Sequence, residues 1–231
     1  MLMKHTLRTR RMIVVGFILV IAVIIAVINK DSWQVPQAPQ GKPVGDAADV
    51  LETLAIKGRA PKTGYARTQF GDGWAVSGGC DTRNKILYRD LTDTTVNDKC
   101  QVESGTLQDP YTGKTILFVR GASTSDVIQI DHVVALGDAW QKGAQQLTST
   151  EREQLANDPL ELLAVDGKTN QQKSDGDAAT WLPPNKPFRC QYVARQIAVK
   201  QKYRLWVTQA EHDAINQVLA TCPGQALPKA N

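Results

Sequence analysis

The stretch 127–173 constrains the fold of this chain more than any other, because it predicts a strand, a second strand and a helix in that order. Its apolar runs VIQI (127–130) and LELLAV (160–165) have the length and the content of branched side chains that are typical of strands. The dipeptide Asp-Gly at 166–167 ends the second run. A short polar helix is predicted next, and it begins near Thr169.

Four polar side chains stand at fixed places on this pattern. Asp131 and His132 follow the first strand directly, whereas Asn170 and Lys173 belong to the helix. Because neighbouring residues on a strand point to opposite faces, Asp131 and His132 can face one point only where the strand ends and the backbone turns. Without further evidence, Asn170 is interpreted equally well as a helix cap and Lys173 as a surface charge.

His132 is the best candidate for acid–base chemistry among the three histidines of the chain. His5 belongs to the basic N-terminus, and His212 falls on an amphipathic C-terminal helix where we expect it to be exposed to solvent. An imidazole that titrates near neutrality can be neutral at physiological pH and still accept a proton.

Long stretches around these residues resemble the GmrSD-type branch of the HNH endonuclease superfamily, and within it the small exported proteins. The resemblance covers roughly residues 60–222. It is carried by GCDTRNKILYRDL (79–91), GTLQDPYTG (105–113), IDHVVALGDAW (130–140), ANDPLELLAVDGKTNQQKSDGD (156–177), ATWLPPN (179–185) and CQYVARQIAVKQKY (190–203).

The resemblance implies an α+β fold in which a ββα-metal finger is embedded in helices and short strands. It also implies that Asp131 and Asn170 hold a divalent cation, that His132 is the general base that activates a water, and that Lys173 contacts a phosphate. Carboxylate and amide oxygens are hard ligands, which favours Mg²⁺, Mn²⁺ or Ca²⁺ over zinc, with Mg²⁺ or Mn²⁺ expected here. Such a cation neutralises the charge that develops on the phosphate oxygens.

Glu161 is the one departure from the family pattern, since the family usually has an asparagine at this position that braces the loop around the base. A carboxylate can accept backbone N–H bonds as the asparagine does, but it cannot donate as an amide does. An ionised Glu161 is also expected to raise the pKa of His132 by stabilising the imidazolium.

Residues 1–30 predict a membrane anchor whose N-terminus lies inside. They contain five Lys or Arg residues and no acid, and 12–28 is an unbroken run of 17 apolar or glycine residues. A cleaved signal peptide is the alternative, although no good cleavage site follows the run. In the cleaved case the protein would be secreted.

The segment 31–46 is rich in Pro and Gln and predicts an extended linker, and 47–231 is long enough for one domain with an adequate core. Beyond residue 30 there are 22 basic against 23 acidic residues. The net positive charge therefore belongs to the anchor, and phosphate binding needs a local basic patch. Besides Lys173, the candidates for such a patch are Arg83, Arg189 and Arg195.

Four cysteines, Cys80, Cys100, Cys190 and Cys222, lie in the part of the chain that we expect to be exported. An even number outside the cytoplasm predicts two disulfides, and the sequence alone allows three pairings. The pairing of the first with the second and of the third with the fourth is favoured, because each bond closes a local loop. A four-cysteine zinc site is disfavoured because no closely spaced cysteine pair exists.

Other elements follow from caps and apolar spacing. Thr148 with Glu151, and Thr208 with Glu211, are predicted capping boxes that open two helices. The remaining expectations are a helix from the cap Asp46 to Ile56, β-like runs at 85–87 and 115–119, and helices at 136–142 and 188–203.

The function expected from this sequence is metal-dependent hydrolysis of DNA, with low sequence specificity, outside the cytoplasm. No recognition helix or basic arm for reading a DNA sequence is evident. The N-terminal helix is expected to contact the membrane, and no protein partner is expected. An RNase or nicking activity at the same site is one alternative. A catalytically inactive surface module on the same fold is the other, and Glu161 is the feature that favours it.

Overall fold

The computed structural model describes residues 46–122 and 124–228, which form short helices and three small antiparallel sheets. Within these residues the α-helices are α1 (Ala47–Leu51), α2 (Thr82–Asp90), α3 (Leu136–Gln141), α4 (Ser149–Ala156), α5 (Gly167–Lys173), α6 (Arg189–Lys202) and α7 (Gln209–Leu219). The strands are β1 (Val76–Ser77), β2 (Cys80–Asp81), β3 (Leu91–Val96), β4 (Val102–Gln108), β5 (Thr115–Val119), β6 (Ile128–His132) and β7 (Leu162–Asp166). Strand β1 pairs with β2, β4 lies between β3 and β5, and β6 pairs with β7.

Strands β6 and β7 with helix α5 form the ββα unit, so the predicted order of strand, strand and helix is confirmed. The helix begins two residues earlier than expected, because Asp166 Oδ1 caps it by accepting the N–H of Thr169 at 2.8 Å. Gly167 is required at this turn, since a Cβ on it would lie 2.1 Å from the carbonyl oxygen of Asp126.

The ββα unit lies between two hydrophobic cores. Helices α1, α3, α4, α6 and α7 contribute to the larger core, whereas α2 and the sheet β3–β4–β5 form the smaller one. Strand β7 alternates between the two cores, with Leu163 and Val165 in the larger and Leu162 and Ala164 in the smaller. This period of two is what a strand buried on both faces requires.

A buried ion network ties α3, α6 and α7 together inside the larger core. Lys142 Nζ lies 2.8 Å from Asp138 and 2.7 Å from Glu211, and Lys200 Nζ lies 3.0 Å from Glu211. All four side chains are buried. Because loss of one partner would leave an uncompensated buried charge, the network fixes how these helices meet.

Most elements predicted from caps and spacing are confirmed. The capping box of Thr148 and Glu151 opens α4, and Thr208 accepts the N–H of Glu211 at the start of α7. Strand β5 has the bounds expected, and the helices expected at 136–142 and 188–203 are α3 and α6.

Three expectations are wrong. Residues 85–87 belong to helix α2, because Asp81 caps that helix and its apolar side chains cover the smaller core. Helix α1 ends at Leu51 and does not reach Ile56. His212 is buried, with Nε2 3.3 Å from a carboxylate oxygen of Glu52.

The predicted anchor at 12–28 and most of the predicted linker lie outside the described residues. Among the residues that are described, no helix is both long and apolar enough to cross a membrane.

Two disulfides, Cys80–Cys100 and Cys190–Cys222, join the cysteines in the pairing favoured from the sequence. The first links β2 to the turn between β3 and β4, and the second links the start of α6 to the end of α7. They close loops with sequence separations of 20 and 32 residues.

Removing the second disulfide by the double change Cys190→Ser and Cys222→Ser should lower the free energy of unfolding by about 3 to 4 kcal/mol, the loop-closure entropy expected for such a span. Urea unfolding of the oxidised protein and of the double variant measures the difference. Peptide mapping of the oxidised wild type should recover only the two pairs named here. Free thiols or crossed pairs would contradict this disulfide assignment.

Candidate functional site

Strand β6 presents Asp131 and His132 to opposite sides. Both residues are inside the ladder with β7, where Asp131 faces Leu163 and His132 faces Leu162. Residues paired across antiparallel strands share a face, and these two leucines belong to different cores. The strand ends at His132, but the backbone does not turn early enough to bring the two side chains to one point.

The imidazole of His132 is held on one side of β6 by an aromatic ring and a backbone carbonyl. It stacks on the indole of Trp74, with ring centroids 5.7 Å apart and planes inclined by 5°. Its Nε2 lies 3.0 Å from the carbonyl oxygen of Ala156. Because a carbonyl only accepts, Nε2 must carry the hydrogen, and Nδ1 keeps its lone pair.

An open cleft of about 380 Å³ adjoins this imidazole. Its wall is the segment 67–74, together with Leu136 and Ala156. A substrate in the cleft would therefore meet His132 from the side of the strand that is away from Asp131.

His132 is neutral at physiological pH. Burial lowers its pKa to about 3, and the positive charges of Arg67 and Lys173 act in the same direction, whereas the hydrogen bond to Ala156 opposes them. The pKa of His132 is thus lowered and not raised as expected, and Glu161 is not among the groups that shift it.

Asp131 lies on the opposite face, in a buried contact with Lys173 and Tyr111. The ammonium of Lys173 lies 2.8 Å from Asp131 Oδ1 and donates to the carbonyl oxygen of His132 at 2.6 Å. The hydroxyl of Tyr111 donates to Asp131 Oδ2. Burial raises the pKa of Asp131 above its ordinary value, although Lys173 and Tyr111 both favour the ionised form.

Asn170 lies on the same side of β6 as Asp131 but bonds to another residue. Its side-chain amide donates to Gln129 Oε1 at 3.0 Å, and Gln129 is two positions before Asp131 on the strand. Helix α5 thus covers this face of β6 with Asn170 over Gln129 and Lys173 over Asp131. Among the residues described, no group of three or more His, Cys, Asp or Glu side chains is placed to hold a metal ion.

Glu161 accepts hydrogen bonds from the backbone that follows His132. Its carboxylate Oε2 accepts the N–H of Val134 at 3.2 Å, and its carbonyl accepts the N–H of Val133 at 2.9 Å. Oε1 has no hydrogen-bond partner among the described residues. Burial raises the pKa of Glu161 well above its ordinary value, and the charge of Asp131 adds to the shift.

The three arginines that were candidates for a phosphate-binding patch beside Lys173 are bound to backbone carbonyls of the domain. Arg83 donates to the carbonyl of Ile128, Arg189 to that of Pro183 and Arg195 to that of Leu160. Each guanidinium therefore holds backbone, although Nη1 of Arg83 has no hydrogen-bond partner among the described residues.

Three residues of the site were not predicted from the sequence. Tyr111 donates to Asp131, Trp74 stacks on His132, and Arg67 lines the cleft beside His132. Tyr111 lies 20 positions before Asp131 in sequence and enters the site through the turn between β4 and β5. Trp74 and Arg67 come from a segment of bends and a short 3₁₀ helix. No periodic signal marks such a segment, and only the contacts in the fold reveal it.

The profile of the GmrSD restriction endonucleases, C-terminal domain, matches residues 81–218, which include the whole ββα unit. The chain belongs to this family.

A secreted protein of Arthroderma benhamiae, described as uncharacterized, is 37% identical over 190 residues, which are 81% of this chain and 90% of that protein. No solved structure matches the chain. Family membership supports a nuclease-type function in general, and the segment that carries Arg67 and Trp74 precedes the residues that match the family profile.

Replacing Glu161 with Gln should remove part of the pH dependence of stability. The pKa of Glu161 is raised in the folded protein, so folding retains a proton that the unfolded chain has lost, and stability falls as pH rises above the ordinary value of 4.5. The carboxyl of Glu161 changes the free energy of unfolding by up to about 1.4 kcal/mol for each pH unit in this range.

Urea unfolding at pH 5, 7 and 9 should therefore show Glu161→Gln gaining stability relative to wild type as the pH rises. Glu153→Gln, which changes an exposed glutamate on α4, is the control and should follow the wild type. Equal slopes for wild type and Glu161→Gln would show that Glu161 is ionised in the folded protein.

Proposed function

We propose that this domain hydrolyses phosphodiester bonds of DNA with low sequence specificity and that His132 is its general base. The observation that carries the proposal is a neutral imidazole, with Nδ1 as its free acceptor, beside an open cleft in a chain of this nuclease family. A general base must be unprotonated and within reach of the water that it activates.

The surroundings of His132 orient its ring for proton transfer, while burial disfavours the imidazolium that forms. As Nδ1 takes a proton from water, the ring becomes an imidazolium, and the carbonyl of Ala156 stabilises it through Nε2. The indole of Trp74 holds the plane of the ring and offers an electron-rich face to the cation. The ring is thus oriented before substrate enters.

Asp131 and Asn170 have oxygen atoms of the type that a divalent cation prefers, but both carboxylate oxygens of Asp131 are bound by Lys173 and Tyr111 in this structure. Asp131 and Asn170 supply hard oxygen ligands, and the ammonium of Lys173 against Asp131 shows that this face of β6 accommodates a positive charge. We propose Asp131 and Asn170 as the residues that hold Mg²⁺ or Mn²⁺, which would compete with Lys173 for the carboxylate. A cation held there would lie across β6 from the cleft beside His132, and the charge neutralisation that it supplies would act on a phosphate at that face of the strand.

Lys173 then has a supporting role in this proposal. It neutralises Asp131 in the absence of a divalent cation, and it holds the backbone of His132 through its carbonyl. Because its ammonium is buried against Asp131 and does not line the cleft, a contact with a phosphate would require Lys173 to leave that carboxylate.

We propose that the domain acts outside the cytoplasm. Its two disulfides are typical of exported proteins, and the relative from Arthroderma benhamiae is described as secreted. The apolar segment 12–28 would either anchor the domain in a membrane or direct its export.

Cleavage of plasmid DNA by the full-length protein should require a divalent cation. Activity should be lost in excess EDTA and restored by Mg²⁺ or Mn²⁺, because their preferred ligands are the oxygens of Asp131 and Asn170. A parallel incubation with RNA tests the substrate class. Full activity after exhaustive chelation would exclude metal dependence, and better activation by Zn²⁺ than by Mg²⁺ would exclude these ligands.

His132→Ala should lower the rate of cleavage by about 10²-fold or more, as loss of a general base does, and leave the concentration of Mg²⁺ needed for half-maximal activity unchanged. Asp131→Asn and Asn170→Ala should instead raise that concentration. His212→Ala, which removes a buried imidazole elsewhere, is the control and should retain activity.

Circular dichroism must show that each variant is folded. If folded His132→Ala cleaved as fast as wild type, His132 would not be the base. If the folded wild type cleaved neither DNA nor RNA with any divalent cation, the domain would be an inactive module on this fold.

A further inference from the structure

The cleft beside His132 has a wall of its own, the segment 67–74, and this segment precedes the part of the chain that matches the family. This wall is firmly attached to the domain. The ring of Phe70 is buried, Arg152 Nε donates to the carbonyl of Gln69 at 2.8 Å, and the N–H of Ala75 donates to Asn157 Oδ1 at 2.8 Å. The wall therefore has a defined position relative to the imidazole.

Arg67 is the cation that this wall presents. It is exposed, and it lines the cleft together with His132. Asp72 lines the same cleft but makes no ion pair with Arg67 within 4.0 Å.

The guanidinium of Arg67 differs from every other arginine of the described residues in having no hydrogen-bond or ion-pair partner among them. The other eight all donate to carboxylate, amide or carbonyl oxygens: Arg59, Arg83, Arg89, Arg120, Arg152, Arg189, Arg195 and Arg204. The side chain lines the open cleft, and the five N–H donors of its guanidinium have no acceptor among the described residues.

We propose that the cleft is a phosphate-binding subsite and that Arg67 binds a backbone phosphate of the nucleic acid next to the bond presented to His132. The inference rests on the proposed nuclease function. A guanidinium matches phosphate geometry with two parallel hydrogen bonds, and contacts to phosphate position a nucleic acid without reading its sequence. The subsite thus explains how a domain whose overall charge is close to balanced binds a polyanion.

Binding of a fluorescein-labelled 20-base-pair DNA duplex to the full-length protein in EDTA tests this assignment by fluorescence anisotropy. Arg67→Gln should raise Kd about three- to tenfold and reduce the slope of log Kd against log salt by about one. Arg67→Lys should restore the slope because it restores the charge. Lys114→Gln, which removes one exposed cation from the turn between β4 and β5, is the matched control and should bind like wild type.

Cleavage assays separate this inference from the proposed function. If wild type binds and cleaves DNA while Arg67→Gln has the Kd and salt slope of Lys114→Gln, the subsite is refuted and the nuclease function stands. If wild type neither binds nor cleaves DNA or RNA, both fail. A larger Kd and smaller salt slope in Arg67→Gln alone, with an unchanged melting temperature, supports the subsite.

Discussion

The buried ion pair between Lys173 and Asp131 is the contact on which the rest of the site depends. It joins the last residue of α5 to β6, and its ammonium also binds the carbonyl of His132. A carboxylate removed from water in this way is stable only if its charge is matched, and Tyr111 completes the shell by donating to the second oxygen. This one ion pair therefore fixes the position of α5 against the end of β6, and it also stabilises the charge of Asp131.

Because β6 continues through both residues, the acid and the imidazole lie on two sides of one strand. They are nevertheless coupled, since the charge of Lys173 lowers the pKa of His132 from the other face. Any positive charge held at Asp131 acts in the same sense and keeps the imidazole neutral. The strand thus separates the two groups sterically, while the low dielectric of the interior keeps them in electrostatic contact.

The local elements of the site could be predicted because each has a local signal. The order of strands and helix follows from two apolar runs and an Asp-Gly turn, and the capping box at Thr148 is readable from four residues. The surroundings of the site could not be predicted in this way. Tyr111, Trp74 and Arg67 reach it from loops and a 3₁₀ turn, and the burial that shifts the pKa of His132 exists only after the two cores have formed.

Glu161 shows why a change of residue type need not change the chemistry of a position. An asparagine offers one acceptor oxygen and an N–H donor, and a protonated carboxyl likewise offers an acceptor oxygen and an O–H donor. Burial raises the pKa of Glu161 and so favours that protonated form, and its Oε2 accepts the N–H of Val134 as an amide oxygen would. Glu161 therefore holds the backbone after His132 through the same acceptor contact that the oxygen of an asparagine amide would make.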